Sequence, residues 1–151
     1  MKQKKQTLVL GSDHGGFKLK QALIDNLKSK RITVVDAGCF DENSADYPLI
    51  AQNVAKKVAS TKGRGILICG TGIGMSIAAN KVKGVRATLA YDPFTARMSR
   101  QHNDSNLLAL GGRTTPLAKA KKIVDAWLST EFEGGRHARR VRQIMAQDKK
   151  R

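Results

Sequence analysis

Only two cysteines, Cys39 and Cys69, occur among 151 residues, so the disulfide framework that staples small secreted domains is absent. Aromatic residues make up 5% of the sequence, and neither an aromatic RNA-binding signature nor zinc-finger spacing is present. Long apolar runs are missing as well. The stretch that follows the basic start Met1-Lys2-Gln3-Lys4-Lys5-Gln6 is too short for a signal-peptide core or a membrane span. The expected location is therefore the cytoplasm, with no membrane partner. Repeats, low-complexity blocks and linkers are also lacking, so residues 1–151 read as a single domain.

Acids are scarce: 12 Asp and Glu stand against 28 Lys and Arg, a formal charge of +16. The excess is concentrated at the ends. Three lysines lie in the first five residues, and from Arg136 to Arg151 seven basic residues face one acid, Asp148. Such a balance fits either a nucleic-acid surface or solvated basic tails, at about 1–6 and 146–151, joined by arginines aimed at an anionic substrate. Without aromatic or zinc signatures, no nucleic-acid partner is expected.

What is present is a regular alternation. Short apolar runs at Thr7–Leu10, Ile32–Val35, Arg64–Cys69, Val85–Ala90 and Leu107–Leu110 predict five strands. Helical stripes follow them at Phe17–Leu27, Ile50–Ala59, from Gly74 to about Lys81, at Pro93–Gln101 and at Leu117–Leu128, with Pro48 and Pro116 placed to open two of these helices. An extra C-terminal helix runs from Arg136 to about Gln147. Strands that alternate with helices over short links imply a parallel sheet with both faces covered. The predicted fold is an α/β, three-layer α/β/α Rossmann-like sandwich with a five-stranded parallel sheet.

Ligands of such sheets sit beyond the carboxyl ends of the strands. Three polar turns follow strands here and should share that edge: Ser12-Asp13-His14-Gly15-Gly16, Cys69-Gly70-Thr71-Gly72-Ile73-Gly74, and Gly111-Gly112-Arg113. In the second turn, glycines allow close backbone approach, and free amides at the helix start favour an anion. A thiol at that place is favoured as thiolate, a usable general base, and the same amides could hold an oxyanion. The competing reading is a buried structural cysteine beside a phosphate-cradling loop, and the turn alone does not choose. Neither the G-x-G-x-x-G nor the Walker spacing is met, so nucleotide binding has weak support.

His14, after Asp13 at a strand end, reads as a satisfied turn residue more readily than as a catalyst. His102 lies between a helix and a strand, where an imidazole can exchange protons near neutrality. His137 is expected to face solvent, and Cys39 is given no role. Arg136 and Arg140, four apart, share a helical face and either grip a phosphate or stay solvated, as Arg139 and Arg142 should. No local metal-ligand spacing is apparent, so no metal is expected.

Taken in order, these motifs, together with Asp46-Tyr47-Pro48, Ala78-Ala79-Asn80-Lys81, Ser99-Arg100-Gln101-His102-Asn103-Asp104 and Glu133-Gly134-Gly135-Arg136-His137, are familiar. From about Leu8 to Ile144 the chain resembles the type B ribose-5-phosphate isomerases, in the family they share with galactose-6-phosphate isomerase subunits. The resemblance implies a metal-free, cofactor-free aldose–ketose isomerase of the non-oxidative pentose phosphate pathway. Its substrates would be ribose 5-phosphate and ribulose 5-phosphate, and it would form a dimer or a dimer of dimers.

Carried over residue by residue, the resemblance makes Cys69 the proton-abstracting base and His102 the group that opens the furanose ring. Asp13, His14, Gly70, Thr71, Gly72, Ile73, Gly74 and Asn103 match substrate contacts; Arg113, Arg136 and Arg140 match phosphate and substrate ligands. His102, Asn103 and Arg113 would enter from the neighbouring subunit. The mechanism expected runs through ring opening by His102 with Asp13 opposite, proton transfer from C2 to C1 by Cys69, and an enediolate held by the amides of Gly70–Gly74. Thr71 would pass a proton between the two oxygens. The longer N-terminus and the basic C-terminal tail depart from the family pattern without touching these positions. Cysteine rather than serine at position 69 marks the cysteine type, and the His102-Asn103 pair favours ribose over galactose phosphates. Allose 6-phosphate, and a sugar-phosphate-binding module without turnover, remain as alternatives.

Overall fold

The computed structural model describes residues 7–150; the basic segment 1–6 and Arg151, counted above among the tails, lie outside the described residues. Five strands form one parallel sheet: β1 Leu8–Ser12, β2 Val34–Asp36, β3 Arg64–Cys69, β4 Ala87–Leu89 and β5 Leu107–Gly111, in the order β2-β1-β3-β5-β4. The helices are α1 Phe17–Ser29, α2 Tyr47–Thr61, α3 Ile73–Ala79, α4 Pro93–Asn103, α5 Leu117–Ser129 and α6 Arg136–Ala146. A 3₁₀ turn, Gln147–Lys150, follows α6. This is the Rossmann-like layering expected.

The strand order dictates which helix covers which face. The chain moves one way across the sheet from β1 to β2 and from β4 to β5, and the other way from β2 through β3 to β4. Right-handed crossovers therefore place α1 and α4 on one face and α2 and α3 on the other. The side chains agree. Leu10, Ile66, Ile68 and Leu110 pack with Leu23 of α1 and Trp127 of α5, while Val9, Leu67 and Ala109 pack with Val54 of α2 and Met75 of α3. Period-two alternation along each strand feeds both cores, as a sheet buried on two sides requires.

Because the chain leaves β1 and β3 in opposite directions, a crevice opens between their carboxyl ends. Sequence boundaries err chiefly at the sheet edges. β4 is three residues long rather than six because side chains replace the ladder there. Asn80 exchanges two hydrogen bonds with Ala87, at 2.8 and 3.0 Å, and Asn106 Oδ1 accepts the Arg86 amide at 2.7 Å. α3 accordingly stops at Ala79, leaving Asn80 to turn toward β4.

Candidate active site

The three strand-end turns do meet. Gly112 N–H donates to the Cys69 carbonyl at 2.7 Å, and Arg113 N–H to the Gly70 carbonyl at 2.9 Å. Their closeness requires glycine: a Cβ on Gly112 would lie 2.5 Å from the Gly15 carbonyl oxygen. Gly72 adopts φ of +81°, and a Cβ there would stand 2.6 Å from Leu89 Cδ1.

Cys69 ends β3 with its sulfur toward the α2–α3 face and is 5% exposed. Gly72 N–H donates to its Sγ at 3.1 Å, a backbone dipole aimed at the sulfur. Ile73 N–H meets Thr71 Oγ1 at 3.3 Å. Two of the amides expected to face a substrate oxyanion are thus engaged inside the turn. α3 is only seven residues long, so the turn's own N–H groups matter more than a long helix dipole.

Asp13 is buried, and its Oδ1 caps the 3₁₀ turn His14–Gly16 by accepting Gly16 N–H at 3.1 Å. His14 Nδ1 accepts the Ala45 amide at 3.2 Å. A neutral ring then carries its proton on Nε2, a donor left for a ligand. Arg113 lies over Gly70: a Cβ there would be 3.3 Å from its Nη1. Its guanidinium therefore sits beside the Cys69 turn of its own chain, which corrects the expectation that it enters from a neighbour. The reason is topological, since β5 and β3 are adjacent and end together.

Sequence reasoning gave Tyr47 no role. Its ring lies so close to the turn that a Cβ on Gly74 would be 2.6 Å away, because α2 starts against α3. The Asp46-Tyr47-Pro48 motif was the available signal. Lys20 was missed too: on the buried stripe of α1, its ammonium meets Asp36 at 2.6 Å and the Cys39 carbonyl at 2.7 Å.

The other predicted residues sit elsewhere. α4 runs back against the strand direction, so His102 and Asn103 lie near the amino end of β5, roughly 16 Å of strand away from Cys69. Arg136 and Arg140 group with His102, not with Cys69, because α6 packs on α4. His137 does not face solvent. It is 5% exposed, with its ring stacked on His102 at a centroid distance of 4.2 Å and 13° between planes. The Gly134-Gly135 turn, at φ of +69° and +55°, returns the chain, and Glu133 N–H anchors it to the Gln101 carbonyl at 3.1 Å. Burial, then the neighbouring His102 and Arg136, hold the His137 imidazolium below the usual histidine range, with Glu133 opposing.

The predicted residues of one chain therefore fall into two separate groups. The carboxyl edge carries Asp13, His14, the Cys69 turn and Arg113. The second, at the junction of α4 and α6, carries His102, Asn103, Arg136 and Arg140. Among the described residues, no helix is long and apolar enough to cross a membrane.

Both the sequence and the fold have close counterparts. Ribose-5-phosphate isomerase B of Escherichia coli is 48% identical over 145 residues, covering 95% of this chain and 97% of that protein. The structure of Clostridium thermocellum ribose-5-phosphate isomerase B superposes with a TM-score of 0.94 at 51% identity, covering 95% of this chain and 98% of that one. The Mycoplasma genitalium enzyme, solved with bound ribulose-5-phosphate, gives 0.92 at 43% identity, over 96% and 97% of the two chains. The family model described as Ribose/Galactose Isomerase matches residues 8–144, and this chain belongs to that family.

Proposed function

We propose that the chain, acting as one domain over residues 1–151 in the cytoplasm, interconverts ribose 5-phosphate and ribulose 5-phosphate at a site shared between two subunits. The observation that carries this reading is the buried Cys69 sulfur at the base of the glycine turn, with Gly72 N–H aimed at it and Arg113 over Gly70 of the same turn. A sulfur held by a backbone N–H suits the anionic form a base needs.

In this reading the phosphate is gripped by His14 Nε2–H, Arg113 and, from the second subunit, Arg136 and Arg140. His102 of that subunit protonates the ring oxygen while Asp13 takes the hydroxyl proton opposite. Cys69 removes the C2 proton and returns it to C1. The enediolate oxygens face the N–H groups of the 70–74 turn that Cys69 and Thr71 leave for substrate, and the Thr71 hydroxyl moves a proton between them. The separation of the two groups within one chain supports assembly between subunits. So do the exposed apolar side chains Ile73 and Ile77 on α3 and Tyr91 and Phe94 at the start of α4.

Cys69→Ala tests the base directly. Isomerisation should fall by at least about 100-fold, the usual worth of a positioned base. Turnover near wild type would remove Cys69 from the chemistry. Binding of ribose 5-phosphate without any turnover by the unmodified chain would favour a sensor instead.

A further inference from the structure

The His102–His137 stack is one part of a larger cluster. His102 on the last turn of α4, Glu133 in the turn before α6 and His137 on α6 bring two imidazoles and a carboxylate together. Their ligand atoms all lie within 4.8 Å of one another. We propose that this cluster binds a divalent transition-metal ion of the zinc, cobalt and nickel class, and that occupancy withdraws His102 from the shared active site. The binding stands on the cluster alone; its effect on turnover rests on the function proposed above.

Donor chemistry sets the class of ion. Two imidazoles and one carboxylate match borderline-soft first-row dications, whereas calcium and magnesium demand oxygen shells. The second observation concerns the central donor. His137 Nε2 is buried and makes no hydrogen bond among the described residues, and Glu133 Oε2 approaches it at 3.3 Å as an ion-pair neighbour. The fold spends nothing on that nitrogen, yet burial of an unpaired polar atom carries a cost. A metal would satisfy it.

The geometry is close without being complete. Zinc bonds of about 2.0–2.1 Å in a tetrahedral shell bring donors to about 3.4 Å apart, so the cluster must contract by about 1.4 Å. Glu133 is half exposed and can swing. Imidazole lone pairs lie in the ring planes, so the parallel rings must splay; His102, at a helix end and partly exposed, is the one that can tilt. That tilt is what takes it out of the neighbouring site. Arg136 and Arg140 lie on the same helix and oppose a cation, but both are exposed and water screens them. The site is therefore a reversible effector site and not a home for a resident metal.

The test uses the full-length assembled protein and cobalt(II) as the probe. One cobalt per chain should bind with nitrogen–oxygen ligand-field bands and no thiolate charge-transfer band. Glu133→Gln, an exposed change that leaves packing alone, and His137→Gln should each weaken binding by at least the ~10-fold that even outer-shell changes cost. Unchanged affinity in both variants, a thiolate band pointing to Cys69 or Cys39, or no binding would each overturn the site. Zinc should inhibit isomerisation in the parent protein and lose that effect in Glu133→Gln. Binding without inhibition would overturn the link to His102. The optical arm needs no turnover, so its failure is distinct from failure of the isomerase reading.

Discussion

Asp36→Ala should destabilise this protein more than removal of the lysine it faces. Lys20 is 0% exposed, and its ammonium has Asp36 Oδ1 at 2.6 Å, the Cys39 carbonyl at 2.7 Å, and the rings of Phe17 and Phe40 each 5.5 Å away. Deleting the carboxylate leaves a buried ammonium whose remaining partners are one carbonyl and two ring faces. Breaking one side of such a pair costs about 3–5 kcal/mol. Asp36 is 27% exposed, so water reaches the vacated space and the lower figure applies, about 3 kcal/mol. For a chain of this size that corresponds to a fall in melting temperature of about 6–12 °C. Lys20→Met keeps the volume and leaves an aspartate that water can solvate, so it should cost less than about 1.5 kcal/mol. Guanidinium unfolding at one fixed chain concentration, which holds any mass-action contribution constant between variants, measures both. A cost for Asp36→Ala equal to or below that of Lys20→Met would refute the reasoning. The pair also ties down the loop that leads to Ala45, the residue that donates to His14, so Asp36→Ala should raise KM for the phosphate substrate.

Two further outcomes follow from local geometry. Gly74→Ala would drive its methyl group into the Tyr47 ring and should displace that ring, lowering kcat/KM while leaving the far-ultraviolet circular dichroism unchanged; wild-type kinetics would contradict the contact. Asp92 caps α4 by accepting Thr95 N–H at 2.7 Å, and that bond, followed by the Thr95 hydroxyl, holds its carboxyl below the ordinary aspartate range. A carboxyl depressed on folding adds stability above its unfolded pKa of about 3.9 and loses it as pH falls through the folded value. Asp92→Ala should therefore lower the melting temperature at neutral pH, with a deficit that shrinks as the pH drops below about 4. A deficit that stays constant into acid would contradict the cap.

How much of this was legible in the sequence depended on how locally each feature is encoded. Arg64–Cys69 ends in the structure where its apolar run ends, because a central strand buried on both faces has no other pattern. The Gly70–Gly74 turn was equally plain, since only glycines permit its approaches to β5 and Tyr47. β4 was overestimated because two asparagine side chains end the ladder, which apolar periodicity does not record. His137 was misplaced for a related reason. It heads the apolar stripe of Val141, Ile144 and Met145 on an amphipathic helix, but the arginines around it mask that stripe, and burial itself comes from the Gly134-Gly135 return onto α4, a tertiary event. The metal-capable cluster escaped because one donor, His102, lies more than thirty residues before the others, although the Glu133-to-His137 spacing of four was visible. Lys20 lies on the buried stripe of α1, and a charged residue there does not register in apolar periodicity. The segregation of His102, Arg136 and Arg140 from Cys69 follows from antiparallel packing of α4 against the strands, and no motif announces it.

Subunit complementation tests the shared site most directly. Cys69→Ala and His102→Ala chains are each expected to be nearly inactive when expressed alone. Co-expressed in equal amounts, they would form heterodimers as half of the assemblies, each with one intact site of two. The account predicts recovery of about a quarter of wild-type activity per subunit. A co-expressed mixture as inactive as its parents would contradict the claim that Cys69 of one chain works with His102 of the other.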